Sequence, residues 1–175
     1  MEKMRTSWPE SFEEDAVKAI KEAIPDNKLL ELFFAKKISL EDLASKISWK
    51  SFEKLTELMF KQIGYFTLTN FRIKRREIDV LAFNENLVFA ADCKHWKRMS
   101  FYSLSKSAEM QKLRASFLTS TLTFSKKQIV PLIVTLYESE LKIINKIPIV
   151  PVFKLKDFVI NIYGYMETIT VIKGP

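Results

Sequence analysis

One cysteine, one histidine and three glycines in 175 residues set the first limits. With Cys93 alone the chain can build neither an internal disulfide nor a cysteine-based zinc cluster, and a free thiol suits a reducing interior, so a cytoplasmic location is expected. With His95 alone, chemistry or metal binding built on several histidines is excluded. Long apolar runs are missing too. No stretch reaches the ~20 uncharged apolar residues of a membrane helix, and the opening MEKMRTSWPE lacks the apolar core of a signal peptide, so an unexported protein with no membrane partner is expected. No small-molecule cofactor is expected either. Any chemistry falls to carboxylates and lysines.

What is present is apolar and basic. Hydrophobic residues make up 47% and aromatic ones 13%, which with so little glycine argues for a packed globular protein. The net charge of +7 suits a protein that meets a polyanion. The length suits one domain with a real core plus a short extension.

Along the chain, Phe12, Ala16, Ile20 and Ile24 recur at helical spacing before Pro25. Asp26 can cap a second helix bearing Leu29, Leu30, Phe33 and Phe34. Ser39 with Asp42 resembles a capping box for a third helix, through Ile47. Residues 1–48 thus read as a helical extension. Ser48 or Ser51 can cap a helix with Phe52, Leu55, Met59 and Ile63 on one face, which Gly64 stops. The period then changes. Segments 65–74, 77–84 and 87–94 read as three strands, the last two as a hairpin. A helix over 103–122 follows, carrying Leu104, Ala108, Gln111, Ala115 and Leu118. After it come strands in IVPLIVTLY and IPIVPVF and a short helix over 155–162. This order predicts an α/β sheet flanked by helices over residues 49–175.

An acid two residues before a lysine occurs at Asp26, Asp92 and Glu140, so that spacing alone decides nothing. Asp92 differs in closing LVFAA, an apolar run that reads as a buried central strand, where an ionised carboxylate is costly unless paired or metal-bound. Side chains alternate along a strand, so Asp92 and Lys94 share a face and Cys93 points away. If Glu85 and Asn86 form a two-residue turn, paired residue numbers sum to 171 and Asp79 falls opposite Asp92. Two carboxylates so close repel unless a cation lies between them, and Mg²⁺, for which Mn²⁺ can substitute, takes such oxygen donors. The bland alternative is a cross-strand Asp79–Lys94 ion pair with Asp92 capping the strand end.

Phe52 and Glu53 opening a helix that runs to Gly64 and Tyr65, then Ile78 and Asp79, then Asp92, Cys93 and Lys94, resemble the PD-(D/E)xK nuclease superfamily. The likeness is to its Mrr-like and archaeal Holliday-junction resolvase branches, over residues 50–98. The resemblance implies a restriction endonuclease-like mixed sheet and Mg²⁺-dependent cleavage of DNA. By it, Asp79 and Asp92 are metal ligands with the Cys93 carbonyl, Lys94 is the catalytic lysine, and Glu53 is the helix acid. Glu57, one turn on, can take the place of Glu53. Arg75, Arg76 and Glu77 precede Ile78 where Mrr-like proteins often carry glycine and a further acid.

A second reading takes ISLEDLASKI, the next helix and the hairpin, residues 38–92, as a winged-helix-type DNA-binding regulator without catalysis. Lys74, Arg75, Arg76, Lys97, Arg98 and Lys106 flank the site and suit phosphate contacts. His95 reads as a surface residue, Trp96 as a packed aromatic and Gln111 as structural. The tail from Tyr163, with ETITVI, looks like a strand whose open edge wants a partner. Cutting two strands calls for two sites, so a homodimer is expected.

Overall fold

The computed structural model describes residues 26–174; the helix expected over 9–24 lies outside them. The chain divides between Ile47 and Ser48 into two units. In the first, α1 (Asp26–Phe34) and α2 (Leu40–Ala44) bury Leu29, Leu30 and Leu43. The capping box forms at α2. The Asp42 N–H donates to the Ser39 hydroxyl at 3.1 Å, and the Ser39 N–H donates to the Asp42 carboxylate at 3.4 Å. The helix stops at Ala44, shorter than the periodicity predicts.

The second unit opens with α3 (Trp49–Gln62), whose first-turn amide of Ser51 donates to the Ser48 hydroxyl at 3.3 Å. Gly64, at φ +87°, ends the run in a left-handed conformation that costs glycine little. The buried face is Phe52, Leu55, Thr56, Glu57 and Phe60, so Thr56 and Phe60 take the places expected for Met59 and Ile63.

Three antiparallel strands follow: β1 (Phe66–Ile73), β2 (Arg76–Phe83) and β3 (Leu87–Lys94). Then α4 (Phe101–Leu118) crosses over to β4 (Gln128–Thr135), which lies parallel to β3. β6 (Ile147–Pro151) is parallel to β4, and β5 (Ile143–Ile144) hangs on β6 as a short hairpin. Among the described residues the sheet has 7 strands in the order β1-β2-β3-β4-β6-β5, with β7 (Ile172–Lys173) also on β4. α5 (Leu155–Ile160) closes the core after β6.

β3 and β4 are apolar along most of their length because both faces are covered. Ala90 and Val88 pack with Ala115 and Leu118 of α4. Phe89, one residue away and so on the opposite face, meets Phe60 of α3 with ring centroids 5.6 Å apart. The two helices therefore sandwich β3. This is the mixed, helix-flanked α/β sheet of a restriction endonuclease-like fold.

The tail differs from expectation. Glu167 and Thr168 lie in a turn and Ile169 in a bend, and of this run only Ile172, with Lys173 after it, pairs as a strand, antiparallel to Ile129 and Gln128. β6 pairs with β4 only over Ile133–Thr135, leaving the start of β4 with unpaired backbone that β7 takes. The expected strand is thus two residues long and pairs with β4.

Candidate active site

Four β2–β3 pairs, from Phe83–Val88 to Val80–Ala91, follow the register expected for a Glu85–Asn86 turn. The turn is held by the Asn84 side-chain oxygen, which accepts from the Asn86 and Leu87 amides at 3.0 and 2.8 Å. The ladder stops one pair short of Asp79 and Asp92. There the strands part, and the Cys93 N–H donates to Asp79 Oδ2 at 2.7 Å in place of a backbone acceptor. The Lys94 carbonyl accepts from the Leu136 N–H of the β4 side at 3.1 Å, so strand alternation turns the Cys93 amide and carbonyl toward β2. On the other side of β2, the β1 residue facing Asp79 is Asn70, at φ +50°, and the β1–β2 pairing skips it. Asp79 therefore sits where the β2–β3 ladder has ended and the β1–β2 ladder is interrupted for one pair.

Asp92 is only 3% exposed. Lys94 Nζ lies 2.9 Å from its Oδ2, and Arg114 Nη1 of α4 donates to its Oδ1 at 3.1 Å. The same Arg114 nitrogen donates to Gln111 Oε1 at 3.2 Å, while Gln111 Nε2 donates to the Ala90 carbonyl at 2.7 Å. Lys94 thus pairs with Asp92 along its own strand, which removes the cross-strand Asp79–Lys94 pair considered above. The contact to Oδ2 is an ion pair without hydrogen-bond alignment. Asp92 Oδ2 and Arg114 Nε are buried atoms with no hydrogen-bond partner.

Burial, then the like charge of Asp92, pushes the Asp79 carboxyl up to about 6, against the lowering effect of the Cys93 amide, Lys94 and Arg114. Glu53, near the start of α3, is raised to about 7 by burial and then by Asp79 and Glu77; the Asn70 amide, 3.5 Å from its Oε2, opposes this. Three carboxylates thus crowd the parting of β2 and β3. The Cys93 thiol is pushed up by burial and by Asp79, and its sulfur lies 3.6 Å from the Thr56 hydroxyl oxygen, on the side of α3. Glu57 behaves differently. Burial would raise its carboxyl, but Lys54 at 2.7 Å, Lys61 at 2.6 Å and the Thr67 hydroxyl at 3.1 Å hold it below the ordinary range.

Among the described residues, no three His, Cys, Asp or Glu side chains stand ready-arranged around one point as a metal cage. The donor chemistry nevertheless fits a hard cation. Glu53, Asp79 and Asp92 offer only oxygens, burial and mutual repulsion raise two of them in a way that a cation would relieve, and the buried Oδ2 of Asp92 makes no hydrogen bond, only its ion pair with Lys94.

The expected basic residues divide into two groups. Lys74 and Arg75 form the β1–β2 turn at φ 45° and 62°, and Arg76 opens β2. Because β2 runs antiparallel to β3, they lie at the same end of the sheet as Lys94. Lys74 Nζ sits 4.8 Å above the Phe117 ring of α4. Lys97 and Arg98 follow β3 and line a cleft; Lys106 is exposed on α4. Trp96 corrects the sequence reading, being 60% exposed rather than packed. Arg114 and Asn70 were missed. Arg114 lies three residues beyond Gln111, on the same helix face, where a buried Asp92 requires a cation. Nothing in the local pattern around Asn70 marks it, because its place opposite Asp79 comes from the β1 register.

A carboxylate where two central strands part, with an acid and a lysine two residues apart on the next strand, defines the class of PD-(D/E)xK nucleases. A family model of the nuclease-related domain, NERD, matches residues 48–152, and the chain belongs to that family, a member of the restriction endonuclease-like superfamily. No curated protein and no solved structure matches it. The winged-helix reading is overturned, since β3 pairs with β4 along its whole length and the hairpin lies inside the sheet, where a wing would project from it.

Proposed function

We infer that this protein is a metal-dependent endonuclease that hydrolyses DNA phosphodiester bonds, of a structure-specific or restriction and repair type. The observation that carries this reading is the buried Asp92, with Lys94 2.9 Å away, in register with Asp79 one step beyond the last β2–β3 pair. Asp79, Asp92 and the Cys93 carbonyl would hold Mg²⁺, or Mn²⁺ in its place, with Glu53 completing the oxygen set. Such an ion polarises the scissile phosphate and acidifies a bound water. The other work belongs to the chain. Lys94 neutralises charge that builds on the phosphate or orients the attacking water, and Arg114 with Gln111 keeps the Asp92 carboxylate aimed. Glu53 serves better than Glu57 as the helix acid, because Glu57 is already engaged by two lysines and a threonine.

Lys74, Arg75, Arg76, Lys97, Arg98 and Lys106 are assigned to phosphate contacts along the bound DNA. A homodimer remains part of the reading on symmetry grounds; a monomeric mass in light scattering would overturn it. A cytoplasmic location rests on cysteine usage. No helix among the described residues is long and apolar enough to cross a membrane.

The decisive test incubates the protein with plasmid and branched DNA in Mg²⁺, Mn²⁺ or EDTA, beside Asp79→Ala and Lys94→Ala. Cleavage that needs metal and is lost in both variants is expected. Binding without metal-dependent cleavage would sink the reading.

A further inference from the structure

Immediately past Lys94 the chain leaves β3 and, together with the segment after β4, walls a cleft of about 670 Å³. The cleft adjoins the candidate active site directly. Lys94 pairs in register with Thr135, and Thr135 is part of the cleft wall. Two features of the lining are unusual for a solvated loop. Trp96 and Phe101 both line it while remaining 60% and 66% exposed, and Lys97 and Arg98 stand between them in sequence. Large aromatic faces left open to water beside cations have a cost that packing within the domain does not recover. Of the two carboxylates on the opposite wall, Glu138 is neutralised by ion pairs with Lys142 and with Lys154, the latter at 3.0 Å, and Glu140 is exposed to solvent.

We propose that this cleft is a binding site for single-stranded DNA, in which unpaired bases stack on Trp96 and Phe101 while Lys97 and Arg98 hold the adjoining phosphates. The physical reason is the pairing of ring faces with cations along one groove. Stacking on an exposed ring requires a free base face, and in a duplex both faces of every internal base are already covered. A duplex would use the cations and leave the rings wet. A single strand or an unpaired tail uses both, and its backbone continues past Thr135 to Lys94. As to substrate class, the inference rests on the nuclease reading of that site. It then names the substrate as DNA with an unpaired segment next to the cut.

The test measures binding apart from cleavage. A fluorescein-labelled oligothymidylate of about twelve nucleotides is titrated with the full chain in EDTA, alongside its duplex with oligoadenylate and the matching RNA. The single strand is expected to bind at least about tenfold tighter than the duplex. Trp96→Ala and Phe101→Ala should each weaken single-strand binding about tenfold with little effect on the duplex, while Trp96→Phe retains most of it. Both rings are exposed, so the far-UV circular dichroism and melting temperature of the variants should match the parent. Equal affinity for single strand and duplex, tighter binding of RNA, or an unchanged single-strand affinity in both alanine variants overturns the proposal. Ring-dependent binding without cleavage in Mg²⁺ would sink the nuclease reading and leave the binding site standing. Cleavage without any preference for unpaired DNA would do the reverse.

Discussion

Asp79 carries a charge that the folded chain disfavours. Its carboxyl is raised from an ordinary 3.8 to about 6, so at about pH 3 and below it is protonated both folded and unfolded and costs next to nothing. The cost grows between those values and is complete above about pH 6. Asp79→Asn keeps an oxygen for the Cys93 amide and removes the charge. In EDTA it should therefore gain up to about 3 kcal/mol of stability at pH 8 and next to nothing at about pH 3, as read by urea unfolding. The same groups set the pH response to metal. Asp79 near 6 and Glu53 near 7 hold protons that a cation must displace, so at limiting Mg²⁺ cleavage should fall steadily as pH drops from 8 to 5.5. A flat profile over that range would remove these carboxylates from the metal site. Arg114→Ala leaves the buried Asp92 with Lys94 alone and should lose about 3 kcal/mol or more of stability, measured by the same unfolding. At this scale the acid and lysine were legible in the sequence because strand alternation forces a spacing of two. Arg114 was not, since its partner lies 22 positions away and only the helix crossover brings them together.

The helix α3 delivers Glu53 to the site and is fixed at both ends by local chemistry. Ser48 caps its first turn and Gly64 ends it at φ +87°. Gly64→Ala has open space for a methyl group yet must adopt that left-handed backbone, and should cost about 1 kcal/mol in chemical denaturation. An unchanged midpoint would mean the turn relaxes. Element positions were readable because capping, turn and period signals are local. The hairpin register was readable for the same reason, since Asn84 locks the turn with its own side chain. The end of the ladder was not readable. The parting of β2 and β3 follows from β3 continuing with β4 while β1 and β2 turn away, and that is a property of the sheet.

For the molecule as a whole, the net charge of +7 suits a polyanionic partner, and the proposed function gives six of the cations to phosphates. DNA affinity in EDTA should fall with salt at a log–log slope of about −5 if all six engage duplex, and Lys97→Ala should reduce that slope by about 1. A slope near zero would detach the basic residues from function. The nuclease-related family match begins at residue 48, beside the division of the chain after Ile47. The reaction proposed here therefore belongs to the second unit.

The sequence by itself determined the α/β order, the hairpin turn, the shared face of Asp92 and Lys94, and the superfamily, because each depends on residues a few positions apart or on a contiguous motif. Tertiary structure alone decided the rest. It ended the ladder at Val80 and Ala91, brought Arg114 to Asp92 and the Thr67 hydroxyl to Glu57, and folded the tail onto β4. These contacts join different elements, so spacing along a single helix or hairpin does not fix them.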